Sequence, residues 1–237
     1  MREPLPDERK ISYSQFSMYS SCPKHWELAY AKGLRTFSQS IHTIFGTAFH
    51  ETLQNYLTVM FNESVKKADE IDINKYLKDQ MFTLYKEAVD KMGDHFSNKF
   101  ELGEFYEDGV AILDWFKKKR GQYFSSRNEE LIGIEVPIYH PVNKDNNKVM
   151  MLGYLDIVIR DKRDNKITII DIKTSTMGWN KYQKADKTKT SQLVLYKKYF
   201  AEQYGYDVEN IDVKYMIVKR KLIEGAMFPQ KRITDFA

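Results

Sequence analysis

Residues 153–174, GYLDIVIRDKRDNKITIIDIKT, carry the strongest structural pattern of the sequence. The two halves of this stretch are rich in isoleucine and valine, which favour β-strands, and the polar segment 161–166 separates them. Two strands joined by so short a turn pair in the antiparallel sense, so the stretch predicts a β-hairpin. Three charged side chains, Asp156, Asp171 and Lys173, interrupt the otherwise aliphatic strands near the end away from the turn.

Two registers of this hairpin bring the three charged side chains to one face of the sheet, because side chains alternate with a period of two. If the turn is centred between Arg163 and Asp164, Asp156 faces Asp171 directly. If the turn is centred one residue later, Asp156 faces Lys173 and Asp171 is the diagonal neighbour. The intermediate register would separate the three side chains.

Two carboxylates and one ammonium on a shared face have two interpretations. Opposed carboxylates repel, and a divalent cation relieves the repulsion, since Mg²⁺ typically takes one or two protein carboxylates together with water and phosphate oxygens. Such an ion polarises a phosphoryl group and activates water near neutral pH, and Lys173 would offset charge in the transition state. The alternative is a solvated ion-pair cluster, which is common on surface hairpins and individually weak.

Outward from the hairpin, the two halves of the chain differ in pattern. Apolar residues recur at helical spacing before residue 125, and β-favouring runs dominate after it. The predicted helices cover residues 12–32, 47–62, 73–92, 103–124 and 189–204, and the predicted strands cover residues 131–139, 149–160, 166–173 and 211–219. This order predicts an α/β fold with a mixed central sheet flanked by helices and with a helical N-terminal part. We expect a single domain, 1–237, with 1–125 mainly helical and 126–237 containing the sheet.

Composition narrows the class of protein without naming a function. The chain has 237 residues, 42% of them apolar, and a formal net charge of +4, which permits a nucleic-acid partner but does not require one. Cys22 is the only cysteine, so neither a disulfide nor a Cys-rich zinc site nor a four-cysteine iron–sulfur site can form within this sequence. No apolar run approaches the ~20 residues of a membrane helix. We expect a soluble cytoplasmic protein, associated with the nucleoid or, if viral, active in the infected host cell, and no membrane partner.

The pattern Gly153-x-x-Asp156 followed by Asp171-x-Lys173 resembles the core of the PD-(D/E)XK nucleases. Other segments, in the same order along the chain, resemble the RecB-like branch of that superfamily, which includes nuclease domains of bacterial recombination machines. These segments are Ser14–Pro23 (SQFSMYSSCP) followed by Trp26 and Tyr30, Gly46-x-x-x-His50, Glu135 on the strand before the hairpin, and Gln192-x-x-x-Tyr196. The resemblance spans residues 12–200.

The resemblance implies a metal site and a set of catalytic residues. It assigns Asp156 and Asp171 as metal ligands together with His50, and the carbonyl of Ile172 would add a backbone ligand. A lone histidine on an apolar helix is more often a partly buried structural residue, but neutral imidazole is also a good ligand for Mn²⁺-like ions. The cofactor is then Mg²⁺ or Mn²⁺. Lys173 and Gln192 would assist catalysis together with the two aspartates.

Substrate contacts are predicted on both sides of the hairpin. Glu135 is a candidate for holding a metal-bound water or positioning substrate, and Tyr196 shares one helix face with Gln192. The stretch 178–190 combines lysines, which contact phosphates, with aromatic residues, which can stack on bases. Its candidate substrate contacts are Trp179, Lys181, Tyr182 and Lys184. The alternative for this stretch is a solvated loop, and for the helix a routine amphipathic packing surface.

The resemblance predicts a metal-dependent deoxyribonuclease and, within this branch, an exonuclease acting on DNA ends or single strands in recombination, repair or replication. The alternatives are a structure-dependent endonuclease and a non-catalytic DNA-binding subunit beside a helicase, recombinase or single-strand-binding protein. Several RecB-like relatives hold an iron–sulfur cluster, with one cysteine near the N-terminal Cys-Pro. Cys22 matches that position, but no cysteine follows it, so we expect no iron–sulfur cluster and a buried, apolar environment for Cys22.

Overall fold

The computed structural model describes residues 8–35, 37–143 and 146–236. The strands are β1 (Arg9–Ile11), β2 (Glu129–Asn143), β3 (Asn146–Asp161), β4 (Ile167–Ser175), β5 (Ile211–Lys219) and β6 (Ile233–Phe236). The α-helices are α1 (Tyr13–Ser21), α2 (Pro23–Trp26), α3 (Ile41–Asn62), α4 (Val65–Glu70), α5 (Ile73–Met92), α6 (Lys99–Lys119), α7 (Lys181–Ala185) and α8 (Lys187–Tyr204). A turn of π-helix, Glu27–Ala31, extends α2, and two short 3₁₀ turns cover Arg120–Gln122 and Val208–Asn210.

The sheet is mixed, as the sequence predicts. Its strands follow the order β1-β3-β4-β5-β6, and β2 pairs with β3. The pairs β1–β3 and β4–β5 are parallel, whereas β2–β3, β3–β4 and β5–β6 are antiparallel. Along β3, β1 pairs at Val149–Met151 and β4 pairs at Ile157–Arg160. The two partners therefore leave a stretch of β3 between them, and Asp156 lies in that stretch.

The register of the hairpin is the first of the two predicted alternatives. Ile157 pairs with Ile170 and Arg160 pairs with Ile167, which centres the turn between residues 163 and 164. The ladder ends at the Ile157–Ile170 pair, one step before Asp156 and Asp171 would meet. The two acids thus lie at the fork where β3 and β4 part.

One face of the sheet is covered by α3, α5 and α6. Leu53 and Leu57 of α3 are fully buried there, together with Ile170 and Ile172 of β4. Burying each such side chain contributes about 1.5–3 kcal/mol to folding. Ser40 begins α3 because its side chain accepts a hydrogen bond from the backbone N–H of Thr43. This face fixes α3, the helix that carries His50.

The opposite face is covered by α8. Tyr196, Tyr199 and Phe200 of α8 are buried against Leu155 of β3 and Ile169 of β4. Helices on both faces of a mixed sheet confirm the predicted α/β class.

The N-terminal helical segment differs from this packed body. From Tyr13 to Ala31, through α1, α2 and the π-turn, no residue is buried. Its bulky side chains are partly exposed, including Phe16 (46%) and Tyr19 (53%). None of the helices in the described part of the chain is both long and apolar enough to span a bilayer.

Several predicted boundaries need correction. The helix predicted from residue 47 begins at Ile41, the helix predicted from residue 103 begins at Lys99, and the short strands β1 and β6 had no prediction. The helical segment 12–32, predicted with an interruption at Cys22-Pro23, is divided at that point, whereas Cys22 is exposed rather than buried as expected. The helix is divided because a new helix, α2, begins here. The Cys22 sulfur accepts a hydrogen bond from the backbone N–H of His25, and Pro23 is the first residue of α2.

Candidate active site

The fork between β3 and β4 holds two buried carboxylates. The side chain of Asp156 is 14% exposed and that of Asp171 is 5% exposed. The backbone N–H of Ile172 donates to Asp156 Oδ2 at 2.6 Å, so a side chain takes over from the backbone ladder at this position. Lys173 Nζ lies 2.5 Å from Asp171 Oδ2. That oxygen is buried and accepts no aligned hydrogen bond within the described residues, so the ammonium contact is an ion pair without good hydrogen-bond geometry.

His50 approaches the same fork from α3. Its Nδ1 lies 3.6 Å from Asp156 Oδ2. Burial, helped by the charge of Lys173, lowers the pKa of His50 to about 4, and the carboxylates of Asp171 and Glu135 oppose this only in part. The imidazole is therefore neutral at physiological pH, which is the form that binds a metal ion.

Burial also perturbs the two carboxyl groups. Desolvation raises the pKa of Asp156 to about 6, although the hydrogen bond from Ile172 and the charge of Lys173 both lower it. Desolvation likewise raises the pKa of Asp171 to about 6, against the lowering effect of Lys173, and the nearby charge of Asp156 adds to the rise. Two carboxylates that destabilise each other in a dry setting are an arrangement that a cation would relieve.

The residues at the fork fit a hard divalent cation. Asp156, Asp171 and the neighbouring backbone could supply oxygen ligands, and Asp171 Oδ2 is a buried acceptor with no aligned hydrogen bond, although the Lys173 ammonium lies beside it. Among the described residues, no group of three or more His, Cys, Asp or Glu side chains is placed to hold a metal ion by itself. Structural zinc typically requires a complete set of protein ligands, whereas Mg²⁺ keeps several of its waters and takes one or two protein carboxylates.

Two motif glycines allow the elements around the fork to approach closely. A β-carbon on Gly46 would lie 3.1 Å from Thr174 Oγ1, immediately after Lys173, so glycine lets α3 pack against the end of β4. A β-carbon on Gly153 would lie 3.0 Å from Cε1 of Tyr196, so glycine leaves room for that ring on β3. Both distances are tighter than ordinary side-chain contacts, which explains why each of these two motif positions is occupied by glycine.

Gln192 and Tyr196 lie on the α8 side of the fork. Gln192 Nε2 donates to the Tyr196 hydroxyl at 3.1 Å, and the Tyr215 hydroxyl, which donates to the Lys189 carbonyl, lies 3.5 Å from Gln192 Oε1. Lys173 Nζ lies 5.8 Å from the centroid of the Tyr215 ring. The amide of Gln192 is thus held between two tyrosines beside the Lys173 ammonium.

A cleft of about 560 Å³ opens onto Lys173 and Gln192. Its opposite wall is α1, through Ser14, Ser17 and Met18, with His25 at one end. No role was predicted for His25, because it matches no motif position. Its place in the cleft depends on how the N-terminal segment folds back over β4, which local spacing does not reveal.

Glu135 is brought to the fork by an irregularity in β2. A β-bulge lies between Leu131 and Gly133, after which Ile134 pairs with Ile157 and Val136 with Leu155. Glu135 is therefore opposite Asp156, and it adopts a left-handed backbone conformation with φ 48°. Bulges commonly re-aim side chains next to active sites.

Gln54, which belongs to none of the predicted motifs, contacts this region from α3. It is 5% exposed, and its Nε2 donates to Glu135 Oε1 at 2.7 Å and to the Asp156 carbonyl at 3.2 Å. The signal that could have found it is a glutamine four residues after His50, on the apolar face of the helix.

The predicted contacts of the 178–190 stretch fall into two groups. Trp179 packs against Tyr215, with ring centroids 4.9 Å apart, and Lys184 lies over the ring of Phe236. Lys181 and Tyr182 are exposed on α7 and contact each other. Trp179 thus contacts Tyr215, the ring beside Lys173, whereas Lys184 contacts Phe236 of β6.

A mixed sheet between helices, with two acids and a lysine at a forked hairpin, defines a nuclease-type α/β protein. The comparison with protein families agrees with this class. The sequence profile of the PD-(D/E)XK nuclease superfamily matches residues 10–236, and the chain belongs to this superfamily. The comparison with curated proteins gave no match.

Proposed function

We propose that this nuclease is a divalent-metal-dependent deoxyribonuclease of the RecB-like branch, acting as an exonuclease on DNA ends or single strands. The observation that carries the proposal is the convergence of His50, Asp156, Asp171 and Lys173 on the fork between β3 and β4. These side chains come from α3, β3 and β4, and each is partly or fully removed from water. We further propose that residues 1–237 form one nuclease domain, in which residues 1–125 are mainly helical and residues 126–237 carry the sheet.

Mg²⁺ or Mn²⁺ is the proposed cofactor, held by Asp156, Asp171, the Ile172 carbonyl and the His50 imidazole. When bound, the ion would polarise the scissile phosphate and lower the pKa of water. His50 favours Mn²⁺, because imidazole suits softer ions than Mg²⁺. No iron–sulfur cluster enters the proposal, since Cys22 is the only cysteine of the sequence.

The side chains around the ion have separate tasks in phosphodiester hydrolysis. Lys173, with its side chain 34% exposed, reaches the cleft and would orient the attacking water and stabilise charge on the phosphate. Gln192 donates a hydrogen bond to Tyr196 beside it and would donate to a phosphate oxygen or hold the Lys173 ammonium. Burial raises the pKa of Tyr196 to about 12, so its hydroxyl stays protonated.

Substrate contact is proposed in the cleft and along α7. A strand lying in the cleft would meet Lys173 and Gln192. Tyr196 and Glu135 are proposed as substrate contacts beside the fork, and the exposed Lys181 and Tyr182 would contact phosphates and bases beyond it. Trp179 and Lys184 are proposed as the more distant region of this surface. The biological setting we propose is DNA recombination, repair or replication, beside a helicase, recombinase or single-strand-binding protein.

The test uses purified protein with end-labelled single-stranded DNA, duplex DNA and a covalently closed circle, in EDTA, Mg²⁺ or Mn²⁺. We expect metal-dependent loss of the linear substrates only, and no loss with Lys173→Ala. Cutting of the circle would instead identify an endonuclease. Binding without cleavage under any metal would favour a non-catalytic DNA-binding subunit. Cleavage by Asp171→Ala or Lys173→Ala at the wild-type rate would show that the site is assigned wrongly.

A further inference from the structure

Gln54 is one of the few polar side chains that the fold buries. It is 5% exposed on α3, one helical turn beyond His50. Burying an amide is costly unless it is hydrogen-bonded, and both bonds that its Nε2 donates go to the fork. One reaches Glu135 Oε1 at 2.7 Å and the other reaches the Asp156 carbonyl at 3.2 Å.

The backbone conformation of Glu135 requires stabilisation by contacts from neighbouring residues. Its φ of 48° is unfavourable for a residue with a β-carbon, and such conformations persist where surrounding contacts over-determine them. The residue is exposed, so its carboxylate would otherwise be able to turn toward water. Within the described residues, the hydrogen bond that its carboxylate accepts comes from Gln54.

We infer that Gln54 is a positioning residue, which holds the Glu135 carboxylate and the Asp156 backbone at the fork so that a divalent cation and its waters are bound together with His50. This inference rests on the proposed function. A single amide joins three elements, α3, β2 and β3, and it does so on the helix that carries His50. The Glu135 carboxylate also adds to the rise in the pKa of Asp156, so the two acids are electrostatically close.

The experiment compares Gln54→Met, which keeps the length and removes the donor, with Thr52→Val as a matched control. Thr52 is buried on the same helix, and its hydroxyl donates to the Ala48 carbonyl within α3 rather than to the fork. The first readout is the Kd for Mg²⁺ or Mn²⁺, obtained by fitting the rise in melting temperature against metal concentration. The second readout is the cleavage rate of single-stranded DNA at saturating substrate. Residues that orient metal ligands typically change metal affinity or activity by about 10–100-fold.

For Gln54→Met we expect the Kd for the metal ion to rise about 10–100-fold and the saturated cleavage rate to fall, with an unchanged KM for DNA. Thr52→Val should change neither readout by more than about twofold. Because Gln54 acts in part through Glu135, Gln54→Met should weaken metal binding less in a Glu135→Ala background than in the wild-type protein, and the remaining loss comes from the bond to the Asp156 carbonyl. If Gln54→Met does not fold, Gln54→Asn, whose amide is one methylene too short to reach Glu135, replaces it with the same expectations.

Three outcomes overturn the inference, and they differ from one another. A Gln54→Met protein that matches Thr52→Val in both readouts shows a merely structural glutamine. Additive losses in the double variant show that Gln54 does not act through Glu135. A wild-type protein with neither a metal-induced rise in melting temperature nor any cleavage removes the proposed function itself, and the inference with it.

Discussion

A divalent cation should stabilise the folded protein measurably, because the fork between β3 and β4 buries two carboxylates that repel. In the structure, the whole residue Asp171 is 3% exposed, and the Lys173 ammonium is the cation beside its carboxylate. A ligand that binds only the folded state adds RT ln(1 + [L]/Kd) to the free energy of unfolding, which is about 1.4 kcal/mol at about ten times the Kd. For a chain of this size, that corresponds to a rise in melting temperature of about 3–6 °C.

The substitution Asp171→Asn tests this expectation, because it keeps the shape of the side chain and removes its charge. We expect this variant to lose most of the metal-induced rise while melting, without metal, no lower than the wild-type protein. The reason for the second expectation is that burial raises the pKa of Asp171, so its charged form disfavours the folded state at neutral pH.

The assay is thermal melting followed by circular dichroism in EDTA and over a series of Mg²⁺ and Mn²⁺ concentrations. Asp164→Asn is the matched control, because Asp164 is an exposed acid in the turn of the same hairpin. It should keep the full metal response. An equal metal response in Asp171→Asn and Asp164→Asn would show that the cation binds elsewhere.

Further expectations follow from the same geometry. Lys173→Ala should cut DNA at least ~100-fold more slowly and keep the metal-induced rise in melting temperature, measured by single-turnover cleavage and by melting; an unchanged rate would contradict its catalytic role. Gly153→Ala should lower the stability by about 1–3 kcal/mol in urea unfolding, because the new β-carbon would lie 3.0 Å from Tyr196. Gly103→Ala is its control: a β-carbon there meets nothing within 4 Å in the interior of α6, so it should raise the stability by about 0.4–1 kcal/mol. Equal effects of the two glycine substitutions would show that the Tyr196 contact is unimportant.

Local pattern was sufficient to predict the hairpin and the class of fold. The alternation around Asp156 and Asp171 limited the hairpin to two useful registers, and the turn of the folded chain selects the first of them. Local pattern did not predict that the ladder between β3 and β4 ends at Ile157. That end depends on β1 pairing with β3 further along and on the Asp156 carboxylate capturing the N–H of Ile172.

The misses share a physical cause, which is contact between distant regions of the chain. Gln54 and Glu135 are 81 residues apart in sequence, so no spacing rule connects them. The strands β1 and β6 have three and four residues, too few to show alternation, and each exists because a longer strand offers it an edge. The start of α3, by contrast, was readable, since Ser40 is a typical first-turn hydrogen-bond acceptor.

The contrast between the buried helix α3 and the unburied segment Tyr13–Ala31 has a consequence for how the protein fluctuates. Opening free energy follows the apolar contacts that a segment would lose, so this segment should open at far lower cost than the helix that carries His50. Amide hydrogens there should exchange with deuterium by local fluctuation, whereas those around Leu53 and Leu57 should exchange only on global unfolding. The α1 wall of the cleft is then dynamic while α3 stays rigid, which would allow a polymer to enter and leave the cleft without any rearrangement of His50.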